Sequence, residues 1–408
     1  MMDRVEVDFD HNGPEFAADP VGAVTALRDQ CPIAFSTQHG GYWVPTRYAD
    51  IAAAARNPSA YSSARHPSDS GVMGVAIPQT WPIDPLLPIE LDPPEHTDLR
   101  RMLNKVLSRT VVESELVPLI ERHTHAFIDS VIESGSCDLI LDLASPIPTY
   151  VTLDWLGLPT DQWQAIADAQ HGMVAFPQDS PEFASAMANQ SLVAATITET
   201  IAARRSEPRD DIVSYLLAQD VDGVPLSDDT ISGLLALLVM GGIDTTTALI
   251  GQALVYLGDH PDDGQRLRDE PALFGPATEE FLRYFSPSTG HARTVMCPVE
   301  MAGQKLNSGD VVFLSWTAAN SDPDQFPHPD QVILDRSPNR HAAFGLSAHR
   351  CAGAPFAQAE FQVVVAAILD RMPDYRIDHN TAHKYPSQGL TSGWSILPAT
   401  FTPGRRRG

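Results

Sequence analysis

Cysteine is scarce in this sequence, with four residues in 408, at positions 31, 137, 297 and 351. Thiols so few and so scattered cannot form a disulfide framework, and a reducing cytoplasm is the expected setting. Positive charge is short as well: 27 Lys and Arg stand against 52 Asp and Glu, a formal net charge of −25. Such a surface repels phosphate backbones and argues against general nucleic-acid binding. Residues 1–10 carry acidic side chains and no apolar run, so no signal peptide is read there. No Gly/Ser tract, charge block or internal repeat divides the chain, and one domain over 1–408 is the expectation.

One long apolar run is present, at 231–257. Its middle reads Gly241-Gly242-Ile243-Asp244-Thr245-Thr246-Thr247. An acid and three hydroxyls at bilayer depth are costly, so the run is expected as a buried central helix rather than a membrane span. Ser227-Asp228-Asp229 offers capping chemistry before it, and about 30 residues at about 1.5 Å each would span about 45 Å. Around this helix the pattern predicts a mainly α fold with small β regions. Strands are expected at 33–37 and 42–45 around a hairpin turn, at 295–301, 311–315 and 394–397. Helices are expected at 48–56, through most of 95–284, and at 352–371. The stretch 62–94 has prolines at 67, 78, 82, 85, 88, 93 and 94, which forbid regular helix, yet it is rich in apolar residues. A loop of that kind folds inward and often covers a binding site. The terminal Arg405-Arg406-Arg407 run is expected as a disordered tail.

Among the cysteines, Cys351 has the most suggestive surroundings: Phe344-Gly345-Leu346-Ser347-Ala348-His349-Arg350-Cys351-Ala352-Gly353. It precedes an apolar helix with Pro355 in the first turn, so the positive helix end would favour a thiolate. Gly345 and Gly353 permit close backbone approach, and Phe344 could shield the sulfur. Taken alone, a buried structural cysteine is the commoner reading. A zinc site from His341, His349 and Cys351 is a second one, although the spacing matches no common zinc pattern.

The segment resembles the haem-binding loop of the cytochrome P450 monooxygenases, Phe-Gly-x-Gly-x-His-x-Cys-x-Gly. Phe344, Gly345, His349, Cys351 and Gly353 match, and Ser347 stands where the family usually has its second glycine. The resemblance runs over essentially the whole chain. Glu280-x-x-Arg283 with Arg336 matches the family's structural network, though such an i, i+3 pair is by itself usually a solvated one. Gly241-Gly242-Ile243-Asp244-Thr245 matches the oxygen-binding stretch of the central helix. Two glycines there could equally mark a close helix crossing. His96-x-x-x-Arg100, Arg293 and His349 match positions that hold the haem propionates.

The resemblance implies the cytochrome P450 fold, with a long central helix over a haem b whose iron is held by Cys351. It implies a haem-thiolate monooxygenase that uses dioxygen to hydroxylate or epoxidise a lipophilic small molecule. Asp244 and Thr245, facing one cavity, would be catalytic, Thr245 hydrogen-bonding the iron-bound oxygen and Asp244 relaying protons inward from solvent. Arg100, Arg293, His96, His349, Phe344, Gly345, Gly353, Gly241 and Gly242 would bind the cofactor. Because the chain shows no dinucleotide fingerprint, electrons are expected from NAD(P)H through a separate ferredoxin and reductase. Arg100, Arg101, Lys105, Arg109, Arg340 and Arg350 would form a docking patch on the Cys351 side, with Arg101, Lys105 and Arg109 the better candidates. A monomer is expected. Substrate walls are expected from Val72, Met73, Ile83, Leu86, Val174, Leu238, Thr289, Gly290, His291, Thr391 and Ser392, suiting a terpenoid, steroid, aromatic or polyketide. A peroxide-driven enzyme and a catalytically degenerate binding protein are the alternatives.

Overall fold

In the computed structural model the described residues are 4–68, 71–78, 85–387 and 390–407, with side chains left undescribed at 67–68 and 71–73. Helices dominate the chain, and one six-stranded sheet gathers strands from residues 6–62 and 290–315. The sheet runs in the order Glu6–Val7, Ile33–Ser36, Tyr42–Pro45, Val311–Ser315, Gly290–Val295, Tyr61–Ser62. Every residue of Tyr42–Pro45 and of Val311–Ser315 is buried. That explains their near-continuous apolar reading, since a strand covered on both faces needs no polar alternation.

The hairpin expected at 33–45 is present, with Ile33–Ser36 antiparallel to Tyr42–Pro45. The strand expected at 295–301 is corrected. Gly290–Val295 pairs with Val311–Ser315, while Val299–Met301 turns away to pair with Gln304–Leu306. Residues 296–298 lie outside both strands, so one apolar run served two different ladders. The proline-rich stretch does fold inward, with Val75, Ala76, Ile77 and Leu86 buried. It is not wholly irregular, because His66–Ser68 and Gly71–Met73 form a short antiparallel ladder.

The central helix is Asp228–Asp259, and Ser227 caps it by accepting from the Thr230 N–H at 3.1 Å. By length and hydropathy it could cross a membrane, yet 61% of its most apolar window is buried inside the molecule. It packs against Pro146–Leu156, Trp163–Ala175, Pro181–Ser206 and Ala354–Arg371. A helix apolar on every side is stable in water only when neighbours enclose it in this way. The inward loop presses on it at Gly233, where an added Cβ would meet Leu87 and the Pro85 carbonyl at 3.1 Å. The arginine run 405–407 is not a loose tail. Arg371 donates to the Arg405 carbonyl at 2.8 Å, Arg406 pairs with Glu133 at 3.3 Å, and Arg407 pairs with Asp370 at 2.8 Å. Asp370 on the helix Ala354–Arg371 and Glu133, just past the end of Val117–Val131, supply partners that the run's own composition could not reveal.

Candidate active site

The loop before Ala354–Arg371 brings Cys351 to the surface of an interior space. Gly345 turns with φ +67°, Ser347 with φ +62°, and the Cys351 N–H closes the loop onto the Phe344 carbonyl at 2.7 Å. The cysteine has open surface although it lies deep in the protein, as expected of a residue lining a cavity. The thiolate expectation needs correction. Burial raises the Cys351 pKa above its ordinary value, outweighing the Gly353 and Ala354 N–H groups, Arg100 and Arg350, which all lower it. The helix end therefore lowers the pKa of this sulfur, but less than burial raises it.

The zinc alternative fails on geometry. Both ring nitrogens of His341 are engaged, Nε2 with Glu279 at 3.0 Å and Nδ1 as acceptor from the Ala343 N–H at 3.2 Å. Among the described residues no cluster of His, Cys, Asp and Glu could hold a metal ion.

Around the cysteine the structure brings together His96, Arg100, Arg293 and His349. The two imidazoles lie 4.3 Å apart, and His96 Nδ1 and both nitrogens of His349 are buried without a protein partner. Burial, then Arg293, His96 and Arg100, press the His349 pKa down to about 2. Burial, then Arg100, lowers His96. Burial takes Arg293 down to about 10, against the pull of Asp92. These basic groups suppress one another's charge and need anionic acceptors. Two carboxylates on a flat apolar body fit that donor set, because charge-assisted bonds to Arg would relieve the repulsion. Haem meets the description, so the residues present fit the group.

On the central helix the glycine pair divides. A Cβ on Gly241 would meet nothing within 4 Å, whereas one on Gly242 would strike Thr152 Oγ1 at 2.7 Å. Gly242 is thus spent on the crossing with Pro146–Leu156, and only Gly241 borders open space. Thr245 is half-buried and donates to the Gly241 carbonyl at 2.9 Å. Asp244 does not share its aspect. Successive helical residues diverge by about 100°, and Asp244, 2% exposed, is turned into the protein. Its Oδ1 is held by His171 Nδ1 at 2.5 Å and by the Tyr385 hydroxyl at 3.0 Å.

Glu280, Arg283 and Arg336 form a buried network, not a solvated pair. Arg283 donates to Glu280 at 2.8 and 2.9 Å, and Arg336 Nε donates to both carboxylate oxygens at 2.9 and 3.1 Å. Asn339 Nδ2 and the Ile333 N–H complete the carboxylate's shell at 3.1 and 2.9 Å. Arg283 also donates to the carbonyls of Asn320, Pro329 and Gln331. The network ties the helix Phe274–Phe285 to the chain that leads into the cysteine loop.

Of the expected substrate walls, Ile83 and the side chains of Val72 and Met73 lie outside the described residues. Thr289 and Thr391 come together through the Thr289 N–H to Leu390 carbonyl bond at 3.0 Å and the bridge Ser288–Thr391. Ser392 holds the central helix by accepting from Gln252 at 2.6 Å. Gly290 is explained by the sheet, since a Cβ there would meet the Leu314 carbonyl at 2.6 Å. His291 accepts from Trp316 Nε1 at 3.0 Å, and burial, then Arg293, lowers its pKa to about 3. Leu238 packs beside two core clusters, and Leu86 is buried. Val174 lines a cleft of about 360 Å³ with Met173, Phe176, Ile77, Asp10 and Leu390, on a side that includes neither Cys351 nor Thr245. His171, Tyr385, Ser145 and Asn339 were not singled out from sequence. A lone histidine on an apolar helix and a tyrosine 141 residues from its partner leave no local signal.

The Cytochrome P450 family model matches residues 165–274 and 276–379. The Steroid C26-monooxygenase of Mycolicibacterium smegmatis is 31% identical over 89% of this chain and 88% of its own. The Vitamin D(3) 25-hydroxylase of Pseudonocardia autotrophica is 31% identical over 95% of each. The crystal structure of CYP109E1 from Bacillus megaterium with testosterone superposes with a TM-score of 0.85 at 27% identity, over 95% of this chain and 99% of that one. With a thiol open to an interior cavity, basic groups arranged for an anionic flat cofactor and these relatives, the chain belongs to the cytochrome P450 family and is a monooxygenase that uses haem iron and dioxygen.

Proposed function

We propose that the chain acts as one cytoplasmic, monomeric domain over 1–408 that hydroxylates or epoxidises a lipophilic small molecule. Electrons come from NAD(P)H through a ferredoxin and its reductase. The observation that carries the reading is the pair of imidazoles, His96 and His349, with buried, unpartnered ring nitrogens beside Arg100 and Arg293 around an open-faced cysteine. Haem b, when bound to Cys351, supplies the oxygen-activating chemistry. Arg100, Arg293, His96 and His349 hold its propionates, and Phe344, Gly345 and Gly353 shape the thiolate side. Gly241 borders open space and would leave room for the group. Thr245 presents a hydroxyl, here bonded to the Gly241 carbonyl, that would hold or pass a proton at its Oγ1. Asp244 supplies protons from behind it.

A lipophilic substrate is supported by relatives named for steroids and vitamin D3. Arg101, its side chain 74% exposed, and its neighbours Lys105 and Arg109 are suited to steering an acidic ferredoxin. The intact Asp244–Thr245 pair favours dioxygen with reductant over peroxide. The test compares Thr245→Ala with the native enzyme, using ferredoxin, reductase and NADPH in one arm and hydrogen peroxide in the other. Testosterone and a panel of lipophilic compounds serve as probes, chosen by their high-spin shift. The shift should survive in Thr245→Ala while product per NADPH falls on the order of tenfold, about one hydrogen bond's contribution to the controlling step. Equal coupling in both proteins, or turnover with peroxide alone, would contradict the reading.

A further inference from the structure

Ser63 stands where the chain leaves the edge of the six-stranded sheet. The last ladder pairs there are Val295 with Tyr61 and Thr294 with Ser62, antiparallel. Continuing that register by one step sets Ser63 beside Arg293, and residues opposite one another in an antiparallel pair share a face. The Ser63 N–H donates to Asp92 Oδ1 at 2.9 Å, while Ser62 Oγ donates to the other oxygen of the same carboxylate. Asp92 lies just before the helix Glu95–Val106, and its carbonyl accepts from the His96 N–H at 3.1 Å. The charge of Asp92 also acts on both Arg293 and His96. Ser63 therefore belongs to the same neighbourhood as the basic groups around Cys351.

Ser63 is 1% exposed, and its Oγ is buried with no partner in the protein. A hydroxyl taken out of water without a hydrogen bond is destabilising, so buried ones are nearly always satisfied. Thr149, Thr200 and Thr245 satisfy theirs on the carbonyl four residues back in a helix. Ser63 follows a strand and has no such carbonyl. The carboxylate beside it already takes its N–H and the Ser62 hydroxyl. The same want is shared by His96 Nδ1 and by both nitrogens of His349. Unpaired polar atoms from three separate stretches of chain thus gather around Arg293 and Arg100.

We propose that Ser63 is a haem-binding residue whose hydroxyl donates to the propionate held by Arg293. This rests on the haem-thiolate reading above. The two side chains contribute differently. Arg293 supplies charge, although burial has lowered its pKa to about 10. Ser63 supplies a neutral donor, which adds a bond without adding to the mutual repulsion of Arg293, Arg100, His96 and His349. Asp92 acts as the anchor, since its two oxygens hold the Ser62 side chain and the Ser63 backbone and so fix where the hydroxyl starts. No local pattern marks Ser63 in the sequence, because it meets Arg293 only through the register of the sheet.

The test uses the haem-loaded protein and compares native, Ser63→Ala and Ser63→Thr. The propionate bending band in the resonance Raman spectrum reports hydrogen bonds to those carboxylates without any turnover. It should shift in Ser63→Ala and keep its native position in Ser63→Thr, which retains a donor. Haem loss to an excess of apomyoglobin should run about fivefold faster in Ser63→Ala, the ratio that one ordinary hydrogen bond gives. The carbon-monoxide difference spectrum reports separately whether the haem-thiolate forms. Native protein that takes up no haem would overturn the haem-thiolate reading and this proposal together. A Ser63→Ala protein that holds haem with the band at its native position overturns the proposal alone. A lower melting temperature would not rescue it, since a serine that merely braces the sheet edge would give that result and leave the band in place.

Discussion

Ser347 holds a backbone conformation that its side chain resists. At φ +62° it lies in the left-handed region, where an L-residue loses roughly 1–2 kcal/mol. Glycine would be free of that cost and would give back about 0.5–1 kcal/mol in unfolded-chain entropy. Ser347→Gly is thus expected to stabilise the haem-loaded protein by up to about 1 kcal/mol in urea unfolding; a loss would show that the serine side chain repays its strain. The departure from the family pattern was visible in the sequence, and the backbone angle supplies its physical meaning. Other residues were legible in the same way, because Cys351, Gly345 and Gly353 sit within one short segment. His171 was not, since what singles it out is a contact spanning 73 positions. The two glycines at 241 and 242 read alike in sequence, and only their neighbours separate a helix crossing from an open face.

At the scale of elements, the buried carboxylate of Glu280 holds together three stretches of chain. It accepts from two guanidinium groups, an amide side chain and a backbone N–H, all out of water. Glu280→Gln keeps the shape but leaves two buried cations without their counter-charge, at a cost of about 3–5 kcal/mol. The expected result is a large fall in melting temperature together with poor haem retention. A change of only a few tenths of a kcal/mol would be the signature of a solvated i, i+3 pair. Spacing alone could not decide between these, because burial is set by residues 329–339 folding over the pair. The same lesson covers the strands. Helix positions and the central helix were readable from long periodic runs, whereas the split between Gly290–Val295 and Val299–Met301 depends on which ladder each half joins. Arg406 and Arg407 likewise find their acids, Glu133 and Asp370, far away in the sequence.

For the whole molecule, a net charge of −25 makes a local basic surface stand out. The arginines near Cys351 divide into an inner group and an outer one. Arg293 is buried, while Arg101 is largely exposed with only a 3.1 Å pairing to Asp98. The inner group is short of anions and the outer one faces solvent, which suits a cofactor inside and an acidic partner outside. All of this turns on one sulfur. The most direct measurement is the reduced carbon-monoxide difference spectrum of the native protein beside Cys351→Ser. The account predicts a thiolate-type Soret band in the native protein and its loss in the variant, with the fold retained by circular dichroism. A native spectrum without that band, or a variant that keeps it, would contradict Cys351 as the ligand of the haem iron.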